Sequence, residues 1–350
     1  MKTIDWTTTK KVLVVKLRSI GDTVLATPSL IALRKFLPDA QIDILLEDWV
    51  APVLDGFDIV DNVLSVGAGT RERLMKMRRL RNERYDVAFN LHGGTTSTFF
   101  TAASRARHRV GWAEYQYSRL YNHLYSSAAD FWNKPKTHSA EQQLALLGFA
   151  GVPVRDRPKS RLVVTDEAAS KVEHLLHVRG IDKEAIALIH PAAAFATKQW
   201  QPQNFARVIE FLERSGLYSV LVAAPNERHV IEQVRSSTGA MFHGFCDLSL
   251  PEITALASRS ELFVGNDSGI AHIAAAVHTP SVVIFGSSNR DHWRPWDPNN
   301  EVPNEIVFEP FPCQPCPGYE CKTFGDPKCI LNIHPKLVEA AIEMIFAGSR

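Results

Sequence analysis

Short runs of Val, Ile and Leu alternate with stretches of helical periodicity along the whole chain. Runs that are apolar at nearly every position suit strands buried on both faces. Their alternation with helices predicts an α/β fold built on parallel sheets. The spacing predicts strands over residues 12–16, 42–46 and 86–90, then over 185–190, 219–223, 261–265 and 281–285. Between these groups, Gly151-Val-Pro-Val-Arg-Asp-Arg-Pro-Lys-Ser160 is rich in Pro and charge and reads as a domain boundary. After Phe311 the pattern becomes irregular, and an amphipathic helix follows from about Pro335 to Ala347. The two halves echo each other: strand, Gly-containing turn bearing Asp, apolar helix, then Thr-Pro. The echo predicts two similar doubly wound domains, with a ligand in the cleft at the carboxyl ends of the strands.

Three strand-to-helix turns in the second half carry candidate chemistry. Gly265-Asn-Asp-Ser-Gly269 places small residues and one carboxylate at the start of an Ala-rich helix. Free backbone N–H groups and the positive end of the helix dipole make such a place an anion seat, although the same residues also suit an ordinary N-cap. In His190-Pro-Ala-Ala-Ala-Phe-Ala-Thr-Lys-Gln-Trp200 a small-residue loop delivers Lys198, which can neutralise phosphate oxygens, while Trp200 reads as a packing residue. Glu227, in the turn after Leu221-Val-Ala-Ala-Pro225, stands where acidic groups meet ribose hydroxyls in nucleotide folds, or else caps its own helix. In the first half, the strand over 12–16 runs into Arg18-Ser-Ile-Gly-Asp22, which sets a carboxylate where it can accept a proton from a hydroxyl. The turn lacks the Gly-x-Gly-x-x-Gly spacing of a dinucleotide fingerprint.

Composition changes this picture little. The chain has 350 residues, 45% hydrophobic and 22% charged, with a formal net charge of +1. That length favours two domains, and the near-zero charge does not announce a nucleic-acid partner. The opening Met1-Lys-Thr-Ile-Asp-Trp6 lacks a signal-peptide pattern, and no apolar run is long enough to span a bilayer, so a cytoplasmic protein is expected. Locally, ten basic residues face three acidic ones between Arg71 and Arg109. That excess of seven can meet an anionic partner or an anionic membrane surface, or can be a solvated helix face. Cys313, Cys316, Cys321 and Cys329 are clustered, with Cys246 apart. The spacing reads as free thiols ahead of a structural metal, with a disulfide last.

Taken in order, four pieces resemble glycosyltransferase family 9, the heptosyltransferases of the lipopolysaccharide inner core. They are Lys16-Leu-Arg-Ser-Ile-Gly-Asp22, His190-Pro191 with Lys198-Gln-Trp200, the turn 225–227, and Gly265-Asn-Asp-Ser-Gly269 with His272 and Thr279-Pro280. The resemblance implies a GT-B architecture, two Rossmann-like doubly wound domains facing a central cleft. Residues 1–160 would bind the acceptor and 161–334 the nucleotide-sugar donor, with the helix of 335–350 packing back on the first domain. The implied reaction is inverting transfer of a heptose from ADP-heptose to a lipid A/core oligosaccharide acceptor.

In the roles the resemblance implies, Asp22 is the base and Lys198 binds the donor phosphates. Glu227 meets the ribose and Asp267 the sugar, while Ser268, Gly269, Ile270, Ala271 and His272 open the helix toward the diphosphate. Arg18, His92, Thr95, Thr96 and Ser97 are the expected acceptor contacts. One base suffices because the leaving group is already activated. No Asp-x-Asp motif is present, so no metal and no cofactor are expected. Peripheral contact with the inner membrane is expected, and no nucleic-acid partner. Another donor sugar, another acceptor including a protein, or a non-catalytic nucleotide-sugar scaffold stay open as alternatives.

Overall fold

Val12, Leu13, Val14 and Val15 are fully buried. In the computed structural model, which describes residues 3–316 and 318–348, they sit near the middle of a six-stranded sheet. The chain divides into two units, Met1–Arg161 and Leu162–Arg350. The first contains β1 (Lys11–Leu17), β2 (Gln41–Glu47), β3 (Asn62–Val66), β4 (Val87–Asn90), β5 (His108–Trp112) and β6 (His123–Tyr125). Their order is β3-β2-β1-β4-β5-β6, with every neighbouring pair parallel. The α-helices of this unit are α1 (Ile20–Val24), α2 (Thr27–Phe36), α3 (Thr70–Glu83), α4 (Thr95–Ala103), α5 (Ala128–Trp132) and α6 (Ser139–Phe149).

The second unit repeats the plan. Its strands are β7 (Ile186–His190), β8 (Tyr218–Val222), β9 (Phe242–Phe245), β10 (Leu262–Asn266), β11 (Ser281–Phe285) and β12 (Asn304–Phe308). They lie in the order β12-β11-β10-β7-β8-β9, again all parallel. Each sheet therefore has the doubly wound order in which the chain reverses direction beside its first strand. The switch points fall between β1 and β4 and between β7 and β10, where such folds bind ligands at the carboxyl ends of the strands. The helices are α7 (Asp166–Val178), α8 (Pro202–Arg214), α9 (Arg228–Arg235), α10 (Leu250–Arg259), α11 (Gly269–Ala276), α12 (Arg290–Trp293), α13 (Lys328–Leu331) and α14 (Pro335–Gly348). In α8, Pro202 opens the first turn and Phe205, Val208, Ile209 and Leu212 recur at helical spacing, all fully buried.

All seven strands expected from the pattern are present, each within a residue at either end. Among the described residues the sheets also contain β3, β5, β6, β9 and β12, which the pattern did not announce. These lie at or next to sheet edges, where only part of each strand is buried and the apolar run is broken.

The terminal helix is a correction. Expected on the first domain, α14 instead packs on α8 and β12, and Val338, Ala341, Ile342 and Ile345 join the core around Trp200 and Phe205. An amphipathic helix advertises an apolar face and not the core that receives it. The last two positions of the expected 335–350 helix lie outside the described residues.

Candidate active site

At the switch point of the first sheet, β1 ends in Leu17, whose backbone is left-handed (φ 44°), a conformation that costs a branched residue about 1–2 kcal/mol. The exposed Arg18 and Ser19 follow, and α1 then brings Asp22 back over the strand end. Lys16 sits in the strand itself with its side chain 4% exposed. Its ammonium lies 3.1 Å from Asp22 Oδ1 and donates to the Leu91 carbonyl, also at 3.1 Å. Ser19 Oγ donates to the other carboxylate oxygen, Oδ2, at 2.9 Å. Asp22 is thus fixed through both oxygens while its side chain stays 28% exposed.

Across the switch point, β4 delivers His92. Burial, then the positive charge of Lys16, hold its imidazole below the usual histidine pKa, with the Asp22 charge opposing. Asn90 shapes this turn, accepting from the backbone N–H groups of His92 and Gly93 while donating to Ser97 and Tyr121. Thr95 Oγ1 bonds Gln116, and Thr96 is half-buried. Ser97 departs from expectation: it is fully buried and its hydroxyl donates to the Gly94 carbonyl. It supports the turn from beneath and cannot meet an acceptor there.

At the switch point of the second sheet, β10 leads through Asn266 into Asp267, which is buried. Lys198 Nζ lies 2.7 Å from Asp267 Oδ2, the lysine side chain 23% exposed and the aspartate 5%. The loop that carries Lys198 is tied down on every side. Gln199 accepts from the Ala193 N–H and donates to the Pro191 carbonyl, and Asn266 bonds both Trp200 N–H and the Pro191 carbonyl. Trp200 is fully buried, donating its ring N–H to the Ile333 carbonyl at 2.9 Å, as its reading as a packing residue required. His190, at the end of β7, is 3.0 Å from Ser268 Oγ. Burial pushes its imidazole down to about 4, so it is neutral at physiological pH.

Ser268 is the N-cap residue of α11 but makes no side-chain cap to it. The first turn of this helix thus keeps donors for an anion. Ile270, Ala271 and His272 are buried, so what the first two can offer a ligand is backbone N–H alone. Glu227 sits in its predicted turn, where Oε2 accepts from the Ala224 N–H at 3.0 Å and closes that turn.

The cysteine-bearing loop joins this site from far along the chain. Thr197, next to Lys198, donates to the Gly318 carbonyl, and its own carbonyl accepts from Ser287. Gln314 bonds the Gly286 carbonyl, and the Cys316 N–H bonds that of Ser287. All five cysteines are free thiols. Among the described residues, no three His, Cys, Asp or Glu side chains are grouped so as to hold a metal.

A profile of glycosyltransferase family 9 (heptosyltransferase) matches residues 73–324. The chain belongs to glycosyltransferase family 9. It is accordingly a glycosyltransferase. Lipopolysaccharide heptosyltransferase 3 of Escherichia coli K12 is 28% identical over 302 residues, covering 81% of this chain and 84% of that one. The solved family 9 glycosyltransferase of Veillonella parvula shares the fold at TM-score 0.83 and 19% identity, over 99% of both chains. The ADP-heptose LPS heptosyltransferase II of E. coli does so at TM-score 0.80 and 20% identity, over 97% of this chain and 99% of the other.

Within this family member, Arg18, Asp22 and His92 meet at one switch point, and Lys198, Asp267 and Ser268 at the other. Lys16, Asn266 and Gln199 were not singled out as site residues. A lysine inside an otherwise apolar strand was the available signal for Lys16, because a buried ammonium requires an acceptor.

Proposed function

We propose that this glycosyltransferase moves a heptose from ADP-heptose to the inner core of lipopolysaccharide, with inversion at the anomeric carbon. The relatives' names, LPS and lipooligosaccharide heptosyltransferases, support the sugar and the acceptor. The observation that carries the donor side is Lys198 held on Asp267 beside the first turn of α11. As the glycosidic C–O bond to the β-phosphate breaks, negative charge grows on the departing diphosphate. Lys198 and the N–H groups of α11 meet that charge. Asp267 keeps the lysine in place before the donor arrives and leaves it one ion pair to share.

On the acceptor side, a hydroxyl oxygen attacks the anomeric carbon and gives its proton to Asp22. Lys16 and Ser19 hold the carboxylate in one orientation, so the base is aimed in advance. Arg18, His92, Thr95 and Thr96 line the acceptor side in this reading, and Glu227 meets the ribose. The reaction is placed in the cytoplasm, at the inner membrane.

The test is incubation of purified protein with ADP-heptose and truncated lipopolysaccharide acceptors, reading released ADP and product mass together. A product heavier by one heptose, with stoichiometric ADP, is the expected result. Turnover with another ADP- or UDP-sugar but not with ADP-heptose would replace the donor assignment. Donor binding without any turnover on any acceptor would favour a non-catalytic scaffold.

A further inference from the structure

The start of α4 and the loop after β5 carry a pair of rings that the transfer step does not use. Phe99 is 42% exposed and Tyr117 47%, and their ring centroids lie 5.4 Å apart at an interplanar angle of 39°. Single exposed apolar side chains are ordinary on a protein surface, but two aromatic rings in contact there make a patch. Tyr117 stands at φ 59°, ψ 37°, in the left-handed region that bulky residues seldom adopt. Gly or Asn would turn the chain there with less strain. Nothing inside the fold compensates, since the Tyr117 hydroxyl has no protein partner among the described residues. Strain held in this way is a mark of functional surfaces.

The loop that presents Tyr117 is fixed. Tyr115 donates its hydroxyl to the Asn90 carbonyl at 3.2 Å, and its ring lies so close over Gly93 that a Cβ there would stand 2.7 Å from it. Thr98 Oγ1 donates to the Gly94 carbonyl at 2.9 Å and reaches that of Gln116 at 3.4 Å. Thr95 Oγ1 donates to Gln116 Oε1 at 2.6 Å, which leaves the exposed Gln116 Nε2 without a protein partner among the described residues. Phe99 follows Thr95 by four residues and Thr96 by three, so these three side chains share one face of α4.

We propose that Phe99 and Tyr117, with the Gln116 amide beside them, form a stacking shelf for a sugar ring of the acceptor, next along from the sugar whose hydroxyl is attacked. The proposal rests on the acceptor reading above and names the part of the acceptor that is held. A pyranose has an apolar face of C–H bonds, whose slight positive charge suits the negative face of an aromatic ring. Its rim of hydroxyls suits an amide that has N–H groups to give. The position in the fold fits the role. Gln116 follows β5 and His92 follows β4, on the same edge of a parallel sheet as Asp22 after β1. From Thr95 to Phe99 is one helical turn, about 5.4 Å, which is close to the step from one sugar to the next.

The experiment uses the full-length protein and delipidated core oligosaccharide, with calorimetric affinity measured first and transfer kinetics from ADP-heptose second. Phe99→Ala and Tyr117→Gly should each weaken oligosaccharide binding, and raise acceptor KM, by about five- to tenfold. Both should leave ADP affinity and kcat within about twofold. Phe99→Tyr and Tyr117→Phe, which keep the rings, should bind the oligosaccharide as the unsubstituted protein does. Gly tolerates the left-handed backbone at 117, and a thermal melt of each variant establishes that it is folded. Met241→Ala, at an exposed apolar side chain of the second unit, should change nothing. Oligosaccharide affinity that ignores both truncations, an equal loss of ADP affinity, or a full loss in the ring-keeping variants would each overturn the proposal. Transfer separates the two readings. Normal transfer to the oligosaccharide by both truncated variants strikes the shelf alone, whereas neither binding nor transfer by the unsubstituted protein strikes the acceptor reading and the shelf with it.

Discussion

The ammonium of Lys16 lies 3.1 Å from Oδ1 of Asp22, at the end of a side chain only 4% exposed. A cation so placed stabilises the carboxylate and also fixes where it points, because the Leu91 carbonyl holds the same ammonium from the other side. The carboxylate can turn only by giving up a bond to Lys16 or to Ser19.

Asp22→Asn keeps the shape and removes the proton acceptor. Calorimetric donor affinity should survive, while the single-turnover rate falls by roughly 10²–10⁴-fold. Lys16→Met should lower the rate as well and destabilise the fold by about 1–3 kcal/mol, since the Leu91 carbonyl loses a buried donor. A near-normal rate for Asp22→Asn would reduce Asp22 to a residue of the α1 turn.

Lys198→Ala should weaken donor binding and turnover together, by about 2–4 kcal/mol of transition-state stabilisation. It also strands the buried Asp267 carboxylate. Combining it with Asp267→Asn should therefore recover thermal stability but not activity. If the double variant recovers both, the pair is structural.

Gly286→Ala tests whether the turn after β11 positions Lys198. A Cβ there would stand 2.2 Å from the Thr197 carbonyl oxygen, so the turn next to Lys198 must shift. The cost should be about 1–3 kcal/mol, or about 2–4 °C in Tm for each kcal/mol. Donor KM should rise several-fold although no ligand contact is altered. A lower Tm with unchanged donor KM would uncouple that turn from the site.

His190 sets an acid limit on stability. Its pKa is about 4 in the fold against an ordinary 6.5. Between those values the unfolded chain binds more protons than the folded one, so unfolding free energy falls as pH drops through this window. Above about pH 6.5 that stability is fully present. The loss toward pH 4 is at most about 3 kcal/mol. Denaturant melts of His190→Asn and the unsubstituted protein should differ by a constant amount above pH 6.5 and converge below it. A difference independent of pH would mean that His190 does not titrate on unfolding.

The central strands were legible because burial on both faces leaves an unbroken apolar run, as in Val12 to Val15 and Phe263 to Gly265. The outer strands were not, because an edge strand such as Asn62–Val66 mixes polar and apolar positions. The places of Asp22, Lys198 and Asp267 at the switch points were legible because each follows a strand end at a turn of small residues. Asn266 acts through bonds to backbone 66 and 75 positions away, which no local pattern encodes, and Gln199 closes its own loop through Ala193 and Pro191, a role its residue type does not announce. Ser97 misled for a related reason, since its small hydroxyl serves a helix interior as well as a surface. The cysteine spacing suggested chemistry of its own. What the loop does in the fold is hold Thr197 and the end of β11, through the Gly318 carbonyl, the Cys316 N–H and the Gln314 side chain.

Those bonds also bear on how the protein is made. Thr197 waits for Gly318, 121 positions later, and Trp200 for Ile333, 133 positions later. A ribosome that has released residues through Arg161 has delivered every strand of the first sheet, and Asp22 can already stand on Lys16. The turn bearing Lys198 emerges early in the second half, yet cannot take its final shape until nearly the last helix has left the exit tunnel. The first unit is thus assembled during translation, and Lys198 is set only at its end.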